Sequence, residues 1–128
     1  ACHAIATCRE DLSHRSRCDA CGRIGALRPH VVWFGETPLF LDLVAEWLPT
    51  ADLFVAIGTS GAVYPAAGFV ATARRHGVPT CEINLEPADN ASLFDQAIYG
   101  TASDCLPAWC EKILATLDAS RPDQRNLS

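Results

Sequence analysis

A chain of 128 residues, 49% hydrophobic and 20% charged, has the composition of one globular domain that can bury a core without disulfides. Five Arg face three acids in residues 1–30, while five basic residues face twelve acids in 31–128, for a net charge of −5; this excludes nucleic acid as the main partner, because phosphate contacts need a basic face. No apolar run approaches the roughly 18 residues of a membrane span, so no membrane role is expected.

The chain begins with a flank, residues 1–27, rich in Cys, Arg and His and without a long apolar period. Cys18-Asp19-Ala20-Cys21-Gly22 is a Cys-x-x-Cys followed by glycine, a spacing at which two thiolates face one Zn²⁺ from a tight knuckle. A structural zinc site needs four ligands. Cys2 and Cys8 are the suppliers at hand, at a looser spacing than usual, with His3 and His14 as substitutes. A zinc ribbon, a knuckle without metal and a redox pair all remain open. Seven cysteines is an odd number, and no signal peptide opens the chain, so a reducing, cytoplasmic compartment is expected rather than a disulfide framework. Methionine is absent, which reads either as a processed initiator or as a piece of something longer.

From residue 28 strand-like runs alternate with helical patterns. Val31–Phe34 reads as a buried strand that ends in a turn at Gly35, Glu36, Thr37 and Pro38. Phe40–Leu48 follows as a helix, with Leu41, Val44, Ala45 and Leu48 on one face. Asp52–Ile57 is the next strand, then a helix over Pro65–His76 that Gly77 closes. Pro79–Leu85 is a third, mixed strand. Ala97–Tyr99 precedes a last helix carrying Leu106, Trp109, Cys110, Ile113, Leu114 and Leu117. Cys81, Cys105 and Cys110 fall inside apolar patterns and read as small core residues. This alternation predicts an α/β fold, a parallel sheet with helices on both faces, and residues 119–128 form a polar tail.

Ligands of open parallel sheets sit outside the carboxyl ends of the strands. There the chain places Gly58-Thr59-Ser60-Gly61, whose glycines admit a ligand and whose hydroxyls can bind it; this suits a phosphate, although a glycine-rich turn explains it equally well. After the third strand, Glu86 of Asn84-Leu85-Glu86-Pro87 can accept hydrogen bonds from a ribose.

Three segments, LRPHVVWFGE, AIGTSGAVYPAAGFV and EINLEP, occur in this order, and together they resemble the C-terminal half of a sirtuin of the bacterial type, over Cys18 to about Leu117. The resemblance implies a Rossmann-like domain over 28–118 with a zinc-ribbon segment over 1–27, and an NAD-dependent protein-lysine deacylase that consumes NAD and releases nicotinamide. It implies that Gly58, Thr59 and Ser60 contact NAD, that Asn84, Leu85 and Glu86 hold its adenosine part, and that Ala102 lies against the adenine. An acyl-lysine peptide then adds as a strand between Gly35–Glu36 and Val63–Tyr64. Phe34 walls the acyl tunnel, and Val32 offers its carbonyl to the lysine amide. The family's Gly-Ala-Gly turn, its Gln-Asn-x-Asp segment and its general-base His are not in this sequence, and neither His30 nor His76 matches that base. The chain alone is therefore expected to be inactive without an N-terminal half. A non-catalytic nucleotide- or peptide-binding module, or a zinc-ribbon interaction module, are the alternatives.

Overall fold

The segment Thr80–Asn84 alternates polar and apolar residues, yet its first four side chains are all buried. A strand is buried on both faces only when it lies inside a sheet that is itself covered. In the computed structural model, which describes residues 2–119, this is the central strand β2. It pairs in parallel with β1 (Phe54–Ile57) on one side and β3 (Gln96–Tyr99) on the other. Phe54 is in register with Thr80 and Ile57 with Ile83; Cys81 faces Gln96 and Asn84 faces Tyr99. The α/β parallel sheet expected from the alternation is present, and it matches the Rossmann-like fold that the resemblance implies.

Parallel neighbours require crossovers. The first runs through a 3₁₀ turn at Ala66–Gly68 and helix α2 (Phe69–Arg75). Val70 and Ala73, three residues apart, are fully buried, while Arg74 and Arg75 sit in the last turn, where cations favour a helix end. Gly77 ends the element as expected, its N–H donating to the Arg74 carbonyl at 3.0 Å. Helix α1 (Leu41–Trp47) and the 3₁₀ turn Leu48–Thr50 bring Val44 and Leu48 onto Ala73, Val78, Phe54 and Phe69, which makes one apolar core. Helix α3 (Ala102–Ala119) packs against β2, whose Cys81 and Ile83 are buried as well. It starts earlier than its apolar stripe suggests. Thr101 sets the start: its carbonyl accepts the N–H groups of Asp104 and Cys105, and its hydroxyl bonds the Asp104 carboxylate at 2.6 Å.

Thr80 and Asp95 lock the entry to β2 and β3. The Asp95 carboxylate accepts the Thr80 N–H and hydroxyl, both at 2.9 Å, and the Asp95 N–H donates to the Thr80 Oγ1. Among the described residues no helix is long and apolar enough to cross a membrane.

The chain divides into two units, Ala1–Phe40 and Leu41 onward, so the border falls beyond residue 28, where the composition changes. The first unit is loop-rich. A hairpin over residues 16–25 is tied by an antiparallel bridge between Arg17 and Ile24 and by the Gly25 N–H on the Ser16 carbonyl at 2.9 Å. The run Val31–Phe34 corrects the strand expectation: it pairs with no strand among the described residues, and all four side chains are exposed. A strand exists only through a neighbour's backbone, and four apolar residues do not supply one. The tail expected over 119–128 lies, beyond Ala119, outside the described residues, as does the Leu117 side chain.

Candidate functional site

In the second unit, short hydrogen bonds stitch the carboxyl ends of the three strands together. The Gly58 N–H donates to the Ile83 carbonyl at 3.0 Å and the Gly100 N–H to the Asn84 carbonyl at 2.9 Å. The Asn84 side-chain amide reaches across to the Thr59 carbonyl at 2.7 Å, and its Oδ1 accepts the Leu85 N–H at 3.0 Å. The Asp89 N–H bonds the Ser60 carbonyl at 2.9 Å, closing the loop after β2 onto the loop after β1. Gly58, Thr59, Ser60, Asn84, Leu85 and Glu86 therefore gather at one end of the sheet, and Ala102 opens α3 just past Gly100.

The Thr59 and Ser60 amides have no hydrogen-bond partner among the described residues, and their hydroxyls accept the Gly61 and Ala62 N–H groups at 3.3 and 3.4 Å. Unpaired, exposed N–H groups in a turn suit an anion. The helix expected from Pro65 starts later: a 3₁₀ turn covers Ala66–Gly68, and α2 begins only at Phe69. An anion at this loop would therefore meet turn amides rather than a helix end. Gly61 has a positive φ of 66°, and a Cβ there would collide with the Asn90 side chain and the Ala88 Cβ. Only glycine lets the two loops pack this closely.

Beneath the loops lies a residue that sequence reading did not single out. Glu82 is 0% exposed. Its carboxylate accepts the Ala88 N–H at 2.9 Å, the Tyr99 hydroxyl at 3.3 Å and the Asn84 amide at 3.5 Å. A buried carboxyl costs several kcal/mol unless it is hydrogen-bonded, in the range of about 2–7 for polar groups generally. Here its bonds hold the loop 85–88 to the sheet. Burial and this carboxylate push the Tyr99 phenol and the Cys81 thiol upward. One acid inside the otherwise mixed strand Thr-Cys-Glu-Ile-Asn was the signal available.

In the first unit, Cys2, Cys18 and Cys21 converge, their Sγ atoms all within 4.8 Å of one another and those of Cys2 and Cys18 3.7 Å apart. The knuckle forms as the spacing requires: the Gly22 N–H donates to the Cys18 carbonyl at 2.7 Å, and the Cys18 N–H to the Arg23 carbonyl at 2.9 Å. The Ala4 backbone, then the Cys21 and Cys18 thiols, lower the Cys2 thiol to about 7. At Cys21 the Arg23 backbone pulls downward, but the two neighbouring thiols and desolvation outweigh it, and the thiol is raised. Such a set ionises fully only against a cation, which is what a thiolate metal site supplies. The donors fit Zn²⁺ as three of its four ligands. Cys8 is not brought to the cluster; its thiol bonds the Glu10 carbonyl at 3.3 Å. His3 and His14 are not in it either.

Of the residues assigned to a peptide, Val32, Phe34 and Gly35 are exposed on the first unit, and Val63 and Tyr64 are exposed on the second. Glu36 is exposed but engaged, its two carboxylate oxygens bonded by Arg28 at 2.8 and 2.9 Å. Arg28 stands eight residues earlier, in a loop segment where no helix or strand pattern signals the pairing.

A family model described as Sir2 family matches residues 1–65. The chain is 63% identical over 100 residues to an NAD-dependent protein deacylase of Caulobacter vibrioides, covering 78% of this chain and 42% of that protein. Among solved structures, a Sir2 homolog–NAD complex aligns with a TM-score of 0.71 at 32% identity, covering 80% of this chain and 40% of the other. The structure of Sir2Af2 bound to a myristoylated histone peptide aligns with a TM-score of 0.69 at 32% identity, over 83% and 45%. The chain thus spans about two fifths of the length of the relatives it matches.

Proposed function

The chain belongs to the Sir2 family, and on that premise we propose that it is the C-terminal portion of an NAD-dependent protein-lysine deacylase. The observation that carries this reading is the stitched strand end, where the Asn84 amide holds the Thr59 carbonyl at 2.7 Å beside two unpaired loop amides. Thr59 and Ser60, with Gly58, bind the diphosphate of NAD. Asn84, Leu85 and Glu86 bind its adenosine, and Ala102 lies at the adenine. When bound, NAD supplies the ribose carbon that takes up the acyl oxygen as nicotinamide departs.

The residues of this chain bind and orient. Val32, Phe34, Gly35, Glu36, Val63 and Tyr64 contact the acyl-lysine peptide, chiefly through main-chain hydrogen bonds that demand little of its sequence. Cys2, Cys18 and Cys21 hold Zn²⁺ as a structural metal. The His76 ring bonds the Thr72 carbonyl at the end of α2, the end of the crossover that leads into the start of β2 rather than to the proposed NAD loops after β1 and β2. We place the general base in a part of the protein outside these 128 residues. Thiolate ligands stay unoxidised in a reducing compartment, so the reading includes a cytoplasmic location.

Nicotinamide release tests the reading. In the complete reading frame that carries this chain, an acyl-lysine peptide should drive NAD-dependent nicotinamide release, and the isolated 128-residue chain should give none. Ser60→Ala and Asn84→Ala should each raise KM for NAD about tenfold, since each removes binding rather than chemistry. Unchanged KM in both would remove these loops from the site. NAD binding without any nicotinamide release would instead favour a non-catalytic nucleotide-binding module.

A further inference from the structure

Residues 33–36 form a β-turn. The Glu36 N–H donates to the Trp33 carbonyl at 3.0 Å, and Gly35 occupies the third position with φ of 86°, the conformation that position of a type II turn requires. The turn is closed a second time from the same residue, because the Glu36 carboxylate folds back and accepts the Trp33 N–H at 3.1 Å. That carboxylate is in turn gripped by both arms of the Arg28 guanidinium, which also donates to the Val31 carbonyl at 3.4 Å and lies over the Trp33 ring, 5.9 Å from its centroid. Glu36 is held below the usual carboxylate range by Arg28 first and by the Trp33 N–H second. Phe34, the second residue of the turn, is 94% exposed, and nothing lies within 4 Å of the open side of Gly35.

An exposed ion pair contributes little to the stability of a fold. A planar bidentate fork on a carboxylate that also caps its own turn does something else. It removes conformations from the turn. Nothing in the packing of the first unit buries Phe34, so the clamp fixes where this ring points. We propose that Arg28 is a positioning residue: through Glu36 it presets the turn that presents Phe34 and the open backbone of Gly35 to the acyl-lysine peptide. This inference rests on the assignment of Phe34–Glu36 to the peptide. It also gives the Glu36 side chain a different task from contact with substrate, since both its oxygens already have partners. Ordering the turn before binding lowers the entropy that the peptide must overcome, so the clamp acts on peptide affinity and not on the chemical step.

The test is steady-state kinetics of the complete reading frame with an acyl-lysine peptide as varied substrate, together with amide exchange over residues 33–36. Arg28→Ala should raise peptide KM about tenfold while kcat, KM for NAD and zinc content stay as in the wild type. Arg28→Lys should fall between, because an ammonium keeps the charge but cannot fork. The Glu36 amide should exchange faster in Arg28→Ala. Should that variant fail to fold, Glu36→Gln keeps the shape, loses the charge, and is expected to raise peptide KM alone by a smaller factor. Peptide KM equal to wild type in the folded variants overturns the positioning role, and so does a parallel loss in kcat or NAD affinity. A wild type that is active while Arg28→Ala is indistinguishable from it overturns this inference alone. A wild type with no deacylation overturns the deacylase reading, and the positioning role with it.

Discussion

Among the described residues nine apolar side chains are buried, and eight of them, from Leu48 to Ala88, lie in the second unit; the first contributes only Cys18, a thiol of the three-cysteine cluster. Ordering a residue costs roughly 1–2 kcal/mol of conformational entropy. The second unit offsets this with a covered parallel sheet. The first has one hairpin, a clamp and three converging thiols, with Ile5, Ile24 and the whole run Val31–Phe34 exposed. One unit is ordered by burial; for the other we propose ligation of Zn²⁺ by Cys2, Cys18 and Cys21. On the proposed function, the nucleotide loops lie on the covered sheet, and the preset, solvent-facing turn lies on the segment that carries the three thiols.

The largest effect that would break this comparison is removal of the metal. Purified, unchelated protein should carry about one zinc per chain, and Cys18→Ser should release it. Structural zinc contributes on the order of 10–16 kcal/mol in small zinc domains, far more than the apolar contacts of this segment can replace. Chelation should therefore free the amides of residues 2–40 to exchange while those of Thr80–Asn84 stay protected. Zinc-free protein with an ordered first unit would show that ligation is not what holds it. Cys8→Ser should keep its metal, because Cys8 stands apart from the cluster.

The converse change belongs in the core. Ile83 is 0% exposed in the central strand, and Ile83→Ala should destabilise the second unit by about 2–5 kcal/mol, the range for deleting a buried aliphatic side chain. Denaturant unfolding followed by circular dichroism measures it, with zinc content as the parallel readout. A loss of zinc along with the sheet would mean that the two units do not order separately.

Much of the second unit was legible in the sequence because period and punctuation agree there. Val70 and Ala73 share a helix face, Gly77 ends that helix, and Asn84 and Gly58 stand at strand ends. What could not be read has a common physical cause. Val31–Phe34 has the composition of a strand, but pairing is a property of two segments, and a single run does not reveal its neighbour. Glu82 and Arg28 act on residues that the fold brings near: Glu82 on Ala88 and Tyr99, Arg28 on Glu36. Cys2 reached the cluster and Cys8 did not, although both were equally available by spacing.

The smallest expected effect probes how the sheet is locked without metal or core. Hydrogen bonds from the Thr80 hydroxyl and N–H, and then Arg74 at 3.9 Å, lower the Asp95 carboxyl from its ordinary value of 3.8. The folded chain therefore binds fewer protons here than the unfolded chain at mildly acid pH. The contribution of this group is complete above 3.8 and is lost as pH falls through the lower folded value. Asp95→Asn keeps one acceptor for Thr80 but loses the charge toward Arg74, so its melting midpoint should lie slightly below wild type at neutral pH. The gap should close on acidification, since both chains are then uncharged at this position. Thermal melts of the two proteins from about pH 7 down to about pH 2 measure it. A gap that stays constant across that range would assign the difference to geometry at Thr80, and an absent gap would mean that the sheet edge is held by its ladder alone.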